Sequence, residues 1–211
     1  MNTSESEAAA QARRDNRETV RSYERCVDDY AQSTRGEPSA AHGDLFNAFI
    51  RRVGRGGRVV EIGSGPGWDA DRLEAEGIEV LRTDVTQAFI DFQRKRGKRI
   101  TRLDVIDDEL PGQNDGVLCL YVLQHVARPL IDSVLDKISA ALHPGGVLLV
   151  GLRQGSGEVH EVGASSGTYH FTLWPQDAFI NRLAVAGLLA EQSYNFTGAE
   201  GEWLTVLARK G

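Results

Sequence analysis

The feature that most constrains the fold is a short apolar run over residues 58–62, which leads into three alternating glycines, Gly63, Gly65 and Gly67. A short apolar run bounded by turn residues is typical of a buried strand. Glycine is favoured where the backbone takes a positive φ or passes close to a ligand. The pattern that follows from Trp68 predicts a helix. A buried strand, a glycine turn and a helix are the opening units of a parallel α/β sheet.

Strands and helices continue to alternate along the rest of the chain. Apolar runs predict further strands at residues 78–82, 100–103, 116–122, 147–152, 188–194 and 203–208. Helical spacing predicts helices over residues 68–76, 86–97, 129–142 and 175–187. The last two strands are joined by a short connection, as in a hairpin. The predicted fold is therefore α/β: a doubly wound, Rossmann-like sheet of seven strands, mostly parallel, with one antiparallel C-terminal strand.

The length and composition predict one domain. A chain of 211 residues with 41% apolar and 26% charged residues can bury one core. Residues 1–18 are polar and predict a disordered or frayed tail, so the domain is expected to span residues 19–211. Two helices are predicted within residues 19–54, where they would cap the ligand-binding end of the sheet. Residues 153–174 predict a long loop that covers a substrate.

Charge and cysteine usage argue against several classes of protein. The net charge of −6 disfavours a nucleic-acid partner, and the basic residues within 94–102 are expected to form a solvated helix end. The longest apolar runs fall short of a membrane span, and the polar N-terminus is unlike a signal peptide, so a cytoplasmic protein is expected. Cys26 and Cys119 lie far apart and predict reduced thiols. The oligomeric state stays open.

The end of the second predicted strand carries an acidic residue, Asp84. A carboxylate at this place can accept both ribose hydroxyls of a nucleoside, although an ordinary strand-end aspartate is the alternative. A dinucleotide-binding turn would place a third glycine or alanine where Trp68 stands. Tryptophan does not suit that packing position, which disfavours a nicotinamide enzyme. A glycine run that only forms a structural turn remains the other alternative.

The glycine turn EIGSGPG, residues 61–67, resembles motif I of the class I S-adenosylmethionine (SAM)-dependent methyltransferases, and the chain is similar to their bacterial small-molecule type. Residues 23–30 resemble the family's opening YxxxAxxY-type helix, with Cys26 and Val27 departing from its middle. Other matching segments are LDV at 103–105, DGV at 115–117, LQHV at 123–126 and LHPGG at 142–146. Residues 155–158, 171–172 and 202–204 look like the GEGE, RFFT and EWL segments of one bacterial subgroup. The resemblance covers nearly the whole chain after the tail.

The resemblance implies SAM as cofactor and methyl transfer to an oxygen, nitrogen or sulfur atom of a small molecule. Asp84 would hold the ribose, and Asp104 would accept the adenine amino group. Tyr23 and Tyr30 would close the pocket over the methionine carboxylate, unless they are helix core. The complete set of predicted cofactor contacts is Tyr23, Tyr30, Glu61, Gly63, Ser64, Gly65, Gly67, Asp84, Val85, Asp104, Val105 and Tyr121.

His125 is the candidate catalytic base. It follows the fourth predicted strand directly, at the carboxyl edge of the sheet where the methyl group would lie. The unperturbed pKa of histidine suits a base at neutral pH. An oxygen nucleophile usually needs such a base, whereas an amine or a thiolate can attack unaided. The alternative is a histidine that only hydrogen-bonds backbone near the site.

The segment 153–174 supplies the candidate substrate-binding residues. These are Glu158, His160, Tyr169, His170 and Trp174. Their histidines and glutamates match no metal-ligand spacing, so no metal is expected. Two further functions remain open: a non-catalytic partner with this fold, and non-methyl chemistry that uses SAM, such as a cyclisation.

Overall fold

The computed structural model describes residues 3–36, 40–163, 166–198 and 200–211. The strands are β1 Arg58–Ile62, β2 Glu79–Asp84, β3 Thr101–Arg102, β4 Asn114–Leu120, β5 Leu142–Arg153, β6 Gly157–Gly163, β7 Gly167–Leu173, β8 Leu188–Gly198 and β9 Gly201–Lys210. The helices are α1 Thr3–Glu24, α2 Val27–Ser33, α3 Ala40–Val53, α4 Trp68–Ala75, α5 Gln87–Lys95, α6 Arg128–Ala141 and α7 Gln176–Val185. A single 3-10 turn, Leu123–His125, follows β4.

Seven strands form one sheet in the order β3-β2-β1-β4-β5-β9-β8. Strands β1 to β5 pair in parallel, and β9 lies antiparallel between β5 and β8. This arrangement confirms the predicted doubly wound sheet with one antiparallel strand. Strand β2 pairs with one side of β1, and β4 pairs with the other side of β1. The topological switch point therefore lies between β1 and β4.

The two faces of the sheet bury separate clusters because successive strand residues point to opposite sides. Val60 and Val117 face a cluster that includes side chains of α1, α6 and α7. Leu118 faces the second cluster, in which Phe46 and Phe49 of α3 are completely buried. Burial of each phenylalanine contributes roughly 1.5 to 3 kcal/mol. The sheet, with helices packed on both faces, holds the carboxyl ends of β1, β2 and β4 at one of its edges.

Helix α1 differs from the predicted tail over residues 1–18, because a regular helix begins at Thr3. Its mostly polar sequence gives no apolar signal for an interface, because the contacting side chains are small or carry hydroxyl groups. Ala12 is buried in the core, and Ser22 donates a hydrogen bond of 2.7 Å to the carbonyl of Thr168 on β7. Thr19 accepts a hydrogen bond of 2.9 Å from the backbone N–H of His170. Partners distant in sequence therefore hold this helix in place.

A two-stranded hairpin, β6–β7, occupies most of the segment that the sequence predicts to be a loop, residues 153–174. Strand β6 is largely exposed and lacks the alternation of apolar and polar residues that signals a half-buried strand. Its pairing with β7 is continuous from Gly157 opposite Leu173 to Gly163 opposite Gly167. The hairpin packs on α1, so it forms a structured cover.

The basic residues near the end of α5 join a charge network around a buried arginine, Arg82. Its guanidinium is 1% exposed and contacts Asp71 at 2.7 Å and Glu74 at 2.8 Å. Lys98 lies 2.8 Å from the same Glu74 carboxylate, and Arg96 pairs with Asp71. The predicted solvated helix end is thus partly an ion-pair network. None of the helices in the described ranges is long and apolar enough to cross a membrane.

Replacement of Arg82 by lysine is expected to lower the free energy of unfolding by about 1 to 2 kcal/mol. An ammonium cannot reproduce the hydrogen bonds that the guanidinium donates to Asp71, Glu74 and the carbonyl of Gly67. The same change at Arg94, whose side chain is 57% exposed, should stay within about 0.5 kcal/mol of the wild type. Urea unfolding of both variants measures the difference, and equal losses would contradict the structural role of Arg82.

Candidate active site

The glycine turn between β1 and α4 adopts a backbone that only glycine tolerates well. Gly63 and Gly67 have φ of +66° and +85°. A Cβ added at Gly63 would lie 2.3 Å from a methyl group of Val122, and one at Gly67 would lie 2.6 Å from the guanidinium of Arg82. The sequence signal of alternating glycines therefore reflects both positive φ and close packing.

Buried side chains beneath the turn hold its shape. The Ser64 hydroxyl donates a hydrogen bond to the carboxyl group of Glu61. The side-chain amide of Gln93 donates to Ser64 Oγ at 2.9 Å and to the carbonyl of Gly65 at 2.8 Å. Burial raises the pKa of Glu61 to about 8, and the nearby carboxylate of Asp69 adds to the rise. Glu61, Ser64 and Gln93 thus support the turn from behind.

Asp84 links the end of β2 to the glycine turn. Its Oδ2 accepts a hydrogen bond of 2.8 Å from the N–H of Gly65, and its Oδ1 accepts one of 2.8 Å from the N–H of Thr86. Burial raises the pKa of this carboxyl group, and the backbone donors oppose the rise. The carboxylate lies at the wall of a pocket, and each oxygen can accept a further hydrogen bond.

A pocket opens at the carboxyl ends of β1, β2 and β4, where the predicted fold places a ligand. Its walls contain most of the predicted cofactor contacts and the candidate base: Tyr23, Tyr30, Gly63, Gly65, Asp84, Val85, Asp104, Val105, Tyr121 and His125. Glu61, Ser64 and Gly67 belong to the turn beneath the wall. The walls also contain residues absent from the prediction: Asn16, Thr19, Val20, Ile62, Thr86, Phe89, Leu103, Leu120, Val122 and Val126.

Three of these additional residues could have been found from the sequence. Asn16, Thr19 and Val20 precede Tyr23 at helical spacing, so they share one face of α1 with it. The prediction of a tail over residues 1–18 obscured this face at Asn16. Phe89 comes from the buried face of α5 and reaches the pocket through tertiary packing alone.

Aromatic rings enclose one end of the pocket. The Tyr23 ring contacts Tyr30 edge-to-face at 5.6 Å between centroids and Tyr169 at 5.0 Å. Phe89 lies 5.5 Å from the ring of Tyr30. Burial is the main cause that raises the pKa of Tyr30 to about 12. Both predicted tyrosines therefore face the pocket and also pack against other aromatic side chains.

His125 is held by a hydrogen bond on each ring nitrogen. Nδ1 lies 2.8 Å from the carbonyl oxygen of His170, which can only accept, so Nδ1 carries the proton. Nε2 is then unprotonated and accepts the hydroxyl of Tyr23 at 3.1 Å. Burial lowers the pKa of His125 to about 4, which corrects the expectation of an unperturbed value. The imidazole is neutral at pH 7, with its lone pair at the Tyr23 hydroxyl.

Asp104 and Val105, which follow β3, line another part of the pocket. Asp104 Oδ1 accepts a hydrogen bond of 3.0 Å from the N–H of Ile106, and burial raises the pKa of its carboxyl group. Tyr121, at the end of β4, takes a positive φ of 62°, which is unusual for a residue other than glycine. Its ring packs edge-on against Trp203 at 5.0 Å.

The predicted substrate-binding residues separate into different environments. Tyr169 packs against the pocket residue Tyr23 without lining the pocket itself, and its hydroxyl lies 3.3 Å from the sulfur of Cys26. Glu158 accepts a hydrogen bond of 3.1 Å from the N–H of Arg128, away from the pocket wall. His160 is half exposed and His170 is buried, and their rings lie 5.0 Å apart. Cys26 and Cys119 are both free, as predicted.

Trp174 occupies a core position, although the sequence predicts that it contacts substrate. Its side chain is 1% exposed and packs with Phe179 at 6.3 Å between ring centroids. The guanidinium groups of Arg128 and Arg182 lie 4.2 and 4.8 Å from the ring centroid. Trp174 therefore packs between the hairpin and α7.

Comparison with known proteins bears on this site. Residues 60–148 match a family model described as a methyltransferase domain, which covers β1 to most of β5 and less than half of the chain. The chain is 30% identical over 103 residues to a ubiquinone biosynthesis O-methyltransferase of Xylella fastidiosa (strain M23), a match over 45% of this chain and 41% of the relative. The chain therefore spans about two fifths of the length of this relative.

Two solved structures share the fold at low sequence identity. The structure of a DhpI complex with S-adenosylhomocysteine (SAH) superposes with a TM-score of 0.72 at 18% identity, and covers 93% of this chain and 97% of its own. The [4+2]-cyclase SpnF superposes with a TM-score of 0.63 at 17% identity, over 83% of both chains. At these identities the likeness concerns the fold alone.

Proposed function

We propose that this chain, whose residues 60–148 match a methyltransferase domain model, is a class I SAM-dependent methyltransferase that transfers the methyl group of SAM to an oxygen, nitrogen or sulfur atom of a small molecule. One observation carries the proposal. The glycine turn, the Asp84 carboxylate and a neutral histidine meet at one pocket, at the carboxyl ends of β1, β2 and β4. The turn and the carboxylate suit a nucleoside, and the histidine suits a reacting group beside it.

The residues at the pocket fit SAM in the following way. The Asp84 carboxylate would accept the two ribose hydroxyls, and Asp104 with the N–H of Val105 would bind the adenine edge. The backbone of the turn from Gly63 to Gly67 would hold the methionine part. Tyr23 and Tyr30 cover it from α1 and α2. The predicted cap of N-terminal helices over residues 19–54 is thus limited to α1 and α2, because α3 packs on one face of the sheet. The β6–β7 hairpin acts as the cover on the acceptor side.

SAM supplies an electrophilic methyl group when it is bound. The protein's contribution is to exclude water, orient the acceptor and, for a hydroxyl, remove its proton. His125 is neutral, with Nδ1 fixed by the carbonyl of His170, so Nε2 is the atom that takes a proton. An acceptor hydroxyl reaches Nε2 by displacing the Tyr23 hydroxyl or passes its proton through it.

The aromatic lining favours a small, partly apolar acceptor over a polymer. Tyr23, Tyr30 and Phe89 narrow the cavity, and the protein carries a net charge of −6, which opposes binding to nucleic acid. Two unpaired cysteines fit a reducing compartment, and we place the protein in the cytoplasm. Methylation of a small molecule in the cytoplasm is the role we assign to it.

Non-methyl chemistry is the second candidate function. The fold is shared with a [4+2]-cyclase, and fold does not determine the reaction. A protein that uses the pocket for cyclisation would bind SAM without consuming it. Formation of SAH from SAM in the presence of small phenols, amines or thiols separates the two candidates, because only a methyltransferase releases SAH.

We expect the purified protein to bind SAH and not NAD. Asp84 and the glycine turn face the pocket, whereas Trp68 occupies the place of the third glycine in a dinucleotide-binding turn, with Arg96 4.2 Å above its ring. Native mass spectrometry for retained SAM or SAH, followed by calorimetry with SAH and NAD, tests this. Binding of NAD alone would overturn the proposed function.

A further inference from the structure

A cluster of two histidines and a carboxylate lies outside the proposed active site, between α1 and the β6–β7 hairpin. It consists of Asp15 on α1, His160 on β6 and His170 on β7. We propose that these three side chains form a binding site for one zinc ion, which fastens α1 to the hairpin.

The ligand atoms already lie close together. One ligand atom from each residue is within 4.8 Å of the other two, and His160 Nε2 is 3.7 Å from Asp15 Oδ1. A tetrahedral zinc ion with bonds of about 2.0 to 2.2 Å needs ligand atoms about 3.3 to 3.6 Å apart. His160 is half exposed, so a small rotation of its side chain closes the difference.

The fold brings the histidines together by strand register. His160 and His170 are direct cross-strand partners in the hairpin, so their side chains share one face. Hydrogen bonds from α1 to β7 then place Asp15 beside that face, through Thr19 and Ser22. Asp15 is distant in sequence from the two histidines, which explains why no ligand spacing is visible in the sequence.

His170 supplies an independent indication of a ligand. Its side chain is 1% exposed, and its Nδ1 has no hydrogen-bond partner among the described residues. The other nitrogen, Nε2, is 3.8 Å from Glu158, beyond hydrogen-bond distance. A buried imidazole without a close partner is costly, and coordination of a metal would satisfy it. Two histidines and one carboxylate with an open position are a common zinc ligand set.

Zinc at this place would act on the active site through His170. The carbonyl oxygen of His170 accepts the Nδ1 hydrogen of His125 at 2.8 Å, and its N–H donates to Thr19 of α1. An ion bound to the His170 ring would therefore hold the strand that fixes His125. The same ion would hold α1, which carries the pocket residue Tyr23.

Zinc titration of metal-free protein against a chromogenic chelator tests the site. We expect one zinc ion per chain, with affinity lowered at least about tenfold in His160→Ala and in Asp15→Asn. His143→Ala is the matched control, because His143 also lies 2.8 Å from a carboxylate, Asp115, but belongs to no group of three such ligands among the described residues. This control should bind zinc as the wild type does. His160 is half exposed, so its variant should fold, and circular dichroism verifies this.

A second measurement reports on the stability of helix α1 instead of on zinc binding. Zinc should slow hydrogen exchange in α1 and β7 of the wild type, and leave both unchanged in His160→Ala. Absence of stoichiometric binding, or equal affinity in the wild type and His160→Ala, would overturn the proposal. Zinc binding lost in His143→Ala but kept in His160→Ala would overturn it as well. Neither readout depends on methyl transfer.

Discussion

Replacement of His125 by alanine is expected to lower kcat by about a hundredfold with a hydroxyl acceptor and to leave SAH affinity nearly unchanged. General bases contribute about 10²- to 10⁴-fold. The lower end applies, because burial lowers the pKa of His125 to about 4 and weakens it as a base. The contacts proposed for the ribose and adenine come from β2 and from the segment after β3, so cofactor binding should stay separate. Steady-state kinetics with calorimetry measures both quantities.

Two comparisons distinguish a base from a positioning residue. His125→Asn retains an N–H donor for the carbonyl of His170 but lacks the basic nitrogen, so it should be as inactive as the alanine variant. Tyr23→Phe removes the hydroxyl at Nε2 and should cost less, if that hydroxyl only relays the proton. With an amine or thiol acceptor, the loss in His125→Ala should be small. Wild-type turnover of a hydroxyl acceptor by folded His125→Asn would refute the assignment.

The pH dependence follows from the same histidine. Its pKa is about 4 in the folded protein against 6.5 for an ordinary histidine, so the neutral form persists to low pH. We therefore expect kcat/KM to show no acid limb near pH 6.5. Between about pH 4 and 6.5 the unfolded chain binds the extra proton, so this group makes the free energy of unfolding rise with pH. A rate profile with its acid limb centred near pH 6.5 would contradict the buried, neutral state.

Replacement of Asp84 by alanine is expected to weaken SAH binding by about 1.5 to 3 kcal/mol, roughly ten- to a hundredfold. The carboxylate is proposed to accept two ribose hydroxyls. It also accepts the N–H groups of Gly65 and Thr86, so its loss loosens the glycine turn as well. Calorimetry with SAH measures the change.

A matched control separates the site from a general effect of charge. Asp91→Ala removes an aspartate from the exposed side of α5 and should bind SAH as the wild type does. Asp84→Asn keeps one acceptor oxygen, so its affinity for SAH should lie between those of the wild type and Asp84→Ala. Unchanged affinity in folded Asp84→Ala would show that another residue holds the ribose.

The sequence by itself determined the sheet and the part of the pocket that depends on local chemistry. A buried strand, alternating glycines and an acidic strand end are contiguous signals, since positive φ and close approach restrict single positions such as Gly63 and Gly67. The alternation of strands and helices predicted a mostly parallel sheet, but not the order of its strands. These signals predicted Asp84, Asp104 and His125 at one edge, and all three line the pocket.

Only the tertiary structure decided the protonation state of those groups and the shape of the β6–β7 hairpin. Burial from all sides lowers the pKa of His125, and no local pattern reports burial. Most of helix α1 and strand β6 lack apolar periodicity, because α1 is held by hydrogen bonds between hydroxyl and backbone groups and β6 pairs with β7 in an exposed position. Trp174 is of a residue type that often contacts ligands, yet packing against α7 places it in the core. Contacts between residues far apart in sequence determine all of these features.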